Sequence, residues 1–167
     1  GSVYFQPTVK QAGNGGDFSS LSAWEAAIQS DLATTSTRVF TCASFRGVIP
    51  AGATVIGTSS GVVASSTWMS TTSLQILLTK IRATSTGPTA GYGFRYGEKV
   101  MVRGGAAGTN FCYLANAGDP AIAAAKIDGA WTVADTNAVT INGWTTGKYN
   151  YIKVYTTPTA RHSGKWD

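Results

Sequence analysis

One stretch of this chain has strong helical periodicity, and the apolar residues after it alternate with a period of two. Leu21, Trp24, Ile28 and Leu32 fall on one face at helical spacing. Ser22 stands three residues before Glu25, as in a capping box, where hydroxyl and carboxylate each satisfy a free backbone donor. The turn cluster Gly13-Asn14-Gly15-Gly16-Asp17 comes just before. The spacing predicts an amphipathic helix from about Ser22 to Leu32. Beyond it, β-type runs recur between turns rich in Gly and Pro: Arg38–Cys42, Thr54–Ile56, Val62–Ala64, Leu74–Ile81, Lys99–Arg103, Phe111–Leu114, Val139–Ile141 and Tyr149–Tyr155. Asp119-Pro120 is expected to open a short Ala-rich helix through Lys126, because proline is tolerated at the first helical position. The expected fold is mainly β with one N-terminal amphipathic helix.

Composition agrees with that reading. At 167 residues and 43% apolar content, the chain is sized for one hydrophobic core, so 1–167 is expected to form a single β-rich domain. Only 13% of residues are charged, but 5 Trp, 7 Tyr and 6 Phe separate the chain from disordered sequences. The net charge of +5 arises from few acids, and the 13 Lys and Arg are scattered from Lys10 to Lys165 without a basic run. Nucleic-acid binding is therefore not expected. No run of 18 apolar residues exists to span a membrane as a helix. The start, Gly1-Ser2-Val3-Tyr4, has no basic region followed by an apolar stretch, so no signal peptide is expected there. Cys42 and Cys112 lie 70 positions apart and match no metal or redox spacing; they read either as one disulfide or as two small buried side chains.

The run Tyr149-Asn150-Tyr151-Ile152-Lys153-Val154-Tyr155 is the candidate binding surface. In a strand, Ile152 and Val154 share one face, and Tyr149, Tyr151, Lys153 and Tyr155 share the other. Those tyrosines either cover a sheet or form a flat platform for a partner subunit or a sugar ring, since tyrosine buries an apolar body while keeping its hydroxyl wet.

The stretch from Gly15 through Gly16-Asp17-Phe18-Ser19-Ser20-Leu21-Ser22-Ala23-Trp24-Glu25-Ala26-Ala27, running on to Asp31-Leu32, resembles the opening segment of right-handed parallel β-helix proteins of bacterial surfaces and phage tails or fibres. Three later pieces look like first coils of that group: Val139 to Thr146, Asn150 to Tyr155, and Arg161-His162-Ser163-Gly164-Lys165-Trp166-Asp167. Together the matching pieces cover about a quarter of the chain. The resemblance implies β-helix-like strands closed by a capping helix, a virion or extracellular location, and a homo-oligomer, trimeric as in viral relatives. The chain departs from the pattern between Phe45 and Asp135, where the family has a short connection and this sequence has 91 residues. An inserted β lobe, separate or sandwich-like, is expected there.

No residue pattern points to catalysis, a metal or a cofactor. Asp17 and Glu25 are expected to serve the helix start, and Asp119, Asp128 and Asp135 sit in polar turns. His162 is the chain's lone histidine and reads as a turn residue. Arg103-Gly104-Gly105-Ala106-Ala107-Gly108 lacks the Lys-Ser/Thr of a phosphate loop. The expected role is a non-catalytic structural protein of a particle: a capsid decoration, fibre or tail component that contacts other particle subunits. Two alternatives are a fragment of a β-helix polysaccharide lyase or hydrolase, pairing Asp128 with Asp135, and an adhesin holding a surface glycan on its tyrosines.

Overall fold

The computed structural model describes residues 1–82 and 93–160; His162 and the last matching piece, 161–167, lie outside them. The chain is mainly β. In order, its elements are β1 (Val3–Phe5), β2 (Thr8–Val9), α1 (Leu21–Ile28), β3 (Arg38–Arg46), β4 (Thr54–Gly57), β5 (Val63–Ser70), β6 (Gln75–Arg82), β7 (Lys99–Val102), β8 (Phe111–Leu114), β9 (Ala121–Ile127) and β10 (Ile152–Thr156).

These strands make two sheets of different kind. β3 to β8 close into an antiparallel barrel in the order β3-β6-β5-β4-β7-β8. The nine-residue β3 makes closure possible, because its first half pairs with β6 and its second half with β8. Inward residues Phe40, Cys42, Ile76, Leu78, Val100, Cys112 and Leu114 fill the barrel. Cys42 and Cys112 are joined in a disulfide, with Cα atoms 5.4 Å apart, across the β3–β8 seam. Of the two readings of these cysteines, the bridge is the one realised.

The other sheet is parallel. β9 runs between β1 and β10, and β2 extends the β1 side of β9. Phe5, Val9, Trp24, Ile28, Leu32 and the alternate alanines Ala121, Ala123 and Ala125 form its core. The Trp24 indole reaches under β9 and donates to the carbonyl of Ala124 at 3.2 Å. Lys126 N–H bonds the carbonyl of Pro7, so the even-numbered groups of β9 face the β1–β2 side. The Trp24 bond thus satisfies an acceptor at the break between those two short strands. Segment 119–126 was expected to be helical and is instead a central strand. Alanine's helix propensity is weak against tertiary context, and its small side chain lets β9 be covered on both faces.

Helix α1 appears where the periodicity places it, but its cap differs from the expected one. Ser20, not Ser22, is the N-cap, and its hydroxyl accepts from Ala23 N–H at 3.2 Å. Glu25 turns away from the helix start and accepts from Asn142 N–H at 2.9 Å and from Trp144 Nε1 at 3.0 Å. The Trp24 and Trp144 rings stack at 5.7 Å beside this contact. The expected strand Val139–Ile141 does not form; the segment is irregular and largely exposed.

Barrel and parallel sheet share one wall. Val39 and Leu77, from β3 and β6, belong to the core of the parallel sheet. Asp17, also expected at the helix start, ties the two together. Its carboxylate accepts from Thr8 N–H (2.9 Å), Ser70 Oγ (2.8 Å), Thr72 Oγ1 (2.6 Å) and Trp68 Nε1 (3.3 Å). The chain enters and leaves the barrel at one antiparallel bridge, where Val39 and Asp119 exchange both backbone hydrogen bonds.

Candidate functional site

The outer face of the parallel sheet carries the sequence-predicted residues, and the structure divides them. Lys153 and Tyr155 are engaged within the molecule. The Lys153 ammonium donates to Tyr4 Oη at 3.0 Å, and it lies 4.8 Å from the Tyr4 ring centroid and 5.7 Å from that of Tyr155. Tyr155 Oη donates to Gln6 Oε1 at 2.6 Å. The bond to Lys153 pulls the Tyr4 phenol below its ordinary pKa, and the same bond raises the Lys153 ammonium. Burial pushes the Tyr155 phenol upward. These contacts hold β10 to β1 across β9.

Tyr149 is left facing solvent, whereas Tyr151 is partly exposed and also hydrogen-bonds the Tyr4 phenol. Tyr149 precedes the strand in a Gly147–Asn150 turn, 66% exposed, with the Lys148 ammonium 5.2 Å from its ring centroid. Tyr151 is 40% exposed. Sequence reading found the alternation of β10 but missed Tyr4 and Gln6, which become its neighbours only through pairing with β9. Exposed Val133 and Ile141 belong to the same return segment between β9 and β10.

Among the described residues, β10 is the outer strand of the parallel sheet. Ala123 N–H bonds Tyr151 O, and Thr157 N–H bonds Ile127 O. The odd-numbered backbone groups of β10 therefore face β9, and those of Ile152 and Val154 point to the outer edge. Val154 lies on the inward side of the sheet and is nevertheless 44% exposed. Its register partner Ala125 is fully buried.

The acids hold backbone and neutral side chains in place. Asp31 accepts from Ala33 and Thr34 N–H, Asp119 from Asn116, and Asp135 from Leu21 and Asn137 N–H. Asp128 accepts from Thr157 Oγ1 at 2.7 Å, which holds its carboxyl below the usual range. A hollow of about 380 Å³ lies between Leu21, Ile127, Trp131 and Val133; Asp135 lines it and Asp128 does not. Among the described residues no group of three or more His, Cys, Asp or Glu is placed to hold a metal ion, and no helix is long and apolar enough to cross a membrane.

Comparison of the chain with protein-family models, curated proteins and solved structures returned no match.

Proposed function

We propose that this chain is a non-catalytic structural module of a viral or other extracellular particle, a decoration, fibre or tail component, and that copies of it associate through the β10 side of the parallel sheet. The observation that carries this reading is Val154, an inward-facing apolar side chain left uncovered at the sheet's outer strand. β1, β9 and β10 stack in chain order, which is how successive coils of a β-helix stack. Ala123 is in register with Ile152, 29 residues on. The parallel bridge between Asp31 and Thr145 stacks the return segments of the same two turns of chain. A coil buries its interior only against its neighbours, and an open strand edge invites pairing with another chain. Tyr149, Tyr151 and Val154 are the side chains another layer would cover. The Cys42–Cys112 bridge suits an oxidising, extracellular setting.

Sedimentation velocity over a concentration series tests this reading. Self-association is expected, with a trimer as the state implied by the β-helix resemblance. Val154→Lys should shift the chain to monomer while keeping its β-type circular dichroism spectrum, because Val154 is already partly in water. A monomer at every concentration, with Tyr149 and Tyr151 freely accessible to iodination, overturns the proposal.

A further inference from the structure

The positive charge that is scattered along the sequence is concentrated in one part of the fold. Between Arg38 and Leu114 there are seven cations, Arg38, Arg46, Lys80, Arg82, Arg95, Lys99 and Arg103, against one acid, Glu98. The remainder of the chain has six cations and seven acids. The barrel segment is therefore net +6 and the rest net −1, which together give the chain's +5. Glu98 is buried, and its carboxylate is committed to the backbone N–H groups of Ser59, Ser60 and Arg95 and to both serine hydroxyls. Its charge is spent on holding two loops together, and it shapes the floor of a surface cleft.

That open cleft, of about 570 Å³, is lined by Thr58, Ser59, Tyr96, Glu98, Lys99 and Tyr113 among others. Tyr96 is 77% exposed and Tyr113 39%. Neighbouring strands extend the surface sideways. Lys99 is in register with Tyr113, and Arg46 with Phe111. Between them Cys112 points inward to the disulfide, so Phe111 and Tyr113 share the outward face, ring to ring at 5.5 Å. The Lys99 ammonium lies 5.0 Å from the Phe111 ring centroid and donates to Ala107 O at 3.0 Å. Arg46 donates to Gly108 O on the other side of the ring pair.

We infer that this cleft binds an anionic polysaccharide. Aromatic faces stack on the apolar face of a pyranose ring, the Thr58 hydroxyl offers a hydrogen bond to its hydroxyls while Ser59, whose proton goes to Glu98, can only accept, and Lys99 and Arg46 attract its carboxylate or sulfate groups. An open surface cleft suits a segment of polymer better than an enclosed small molecule. Single-stranded nucleic acid would use similar groups, but it needs a basic track along many phosphates. Among the described residues the cations placed beside the ring pair are Lys99 and Arg46, not a continuous track. The inference concerns the barrel alone and does not depend on self-association through β10.

The test is binding of the full chain to polygalacturonate, heparin, neutral dextran and oligo-dT, by calorimetry at low and moderate salt. Binding to polygalacturonate or heparin is expected, and which of the two binds tells carboxylated from sulfated sugar. Tyr113→Ala should weaken it about tenfold, the loss of one stacked ring. Lys99→Gln should reduce the salt dependence by about one charge. Tyr151→Ala, on the other sheet, should leave it unchanged. Melting curves establish that each variant is folded; if Tyr113→Ala unfolds, Tyr96→Ala, at a largely exposed ring of the same cleft, takes its place. No binding to either acidic polymer, binding unaffected by both the aromatic and the Lys99 substitutions, or preference for oligo-dT would each overturn the inference.

Discussion

The barrel and the parallel sheet are built from similar β-rich sequence, yet one is finished and the other is open. Every barrel strand has a partner on both sides, and the disulfide crosses the seam where the ring closes. Among the described residues the parallel sheet has β10 as its outer strand, with Val154 half uncovered on the inward side. Closure removes edges, whereas stacking only moves the edge to the last layer. The barrel therefore needs no further strand to complete its pairing, while the parallel sheet draws on Trp24, Glu25 and the barrel wall to hold its few layers together.

Three measurements would break or sharpen this contrast. The largest effect is expected from Trp24→Ala, which removes a fully buried indole, its stack with Trp144 and its bond to Ala124 O. A loss of about 3–5 kcal/mol is expected. Amide hydrogen exchange should show lost protection in α1, β9 and β10 while β3 to β8 stay protected. If both sheets lose protection together, they are one cooperative unit and the contrast fails.

Replacing both cysteines with serine should cost about 2–4 kcal/mol, since the bridge closes a loop of about 70 residues in the unfolded chain. Here the exchange pattern should invert, with the barrel opening first. Reduction by dithiothreitol of the unaltered protein should reproduce that order.

The smallest effect is electrostatic. Asp128 has its carboxyl held down first by the Thr157 hydroxyl, then by a backbone N–H, with partial burial opposing both. A carboxyl depressed in the folded state adds stability above the ordinary carboxylate range, lost as pH falls through its folded value. Thr157→Val should move the Asp128 titration upward, toward an ordinary carboxyl, and shrink that acid-side loss. Carbon-detected NMR titration of the side chain reads the change directly; an unmoved midpoint would assign the depression to the backbone bond instead.

The sequence was legible where structure is local. The 3.6-residue spacing of Leu21, Trp24 and Ile28 located α1, and period two located most barrel strands and the two faces of β10. It failed where partners are distant. Ala121 to Ala125 look helical until Phe5 and Trp24 cover them. Ser22 and Glu25 satisfy a capping pattern at three residues' spacing, but Glu25 is taken by Trp144, 119 residues away. Asp17 sits beside a helix in sequence and bonds β5 in space. The candidate surface was half visible for the same reason: alternation gave Tyr151, Lys153 and Tyr155, and only β9 brings Tyr4 and Gln6 beside them. Nor does a list of scattered cations show at a glance that the barrel segment is net +6 and the rest of the chain net −1.

The Val39–Asp119 bridge has a consequence for how such a chain can change. Two antiparallel residues that exchange hydrogen bonds hold their Cα atoms only about 5.5 Å apart, so the parallel layers meet the whole excursion from β3 to β8 as they would a tight hairpin. The bridge works as a socket. A different lobe with equally close ends could be plugged in there, giving the same scaffold a new head.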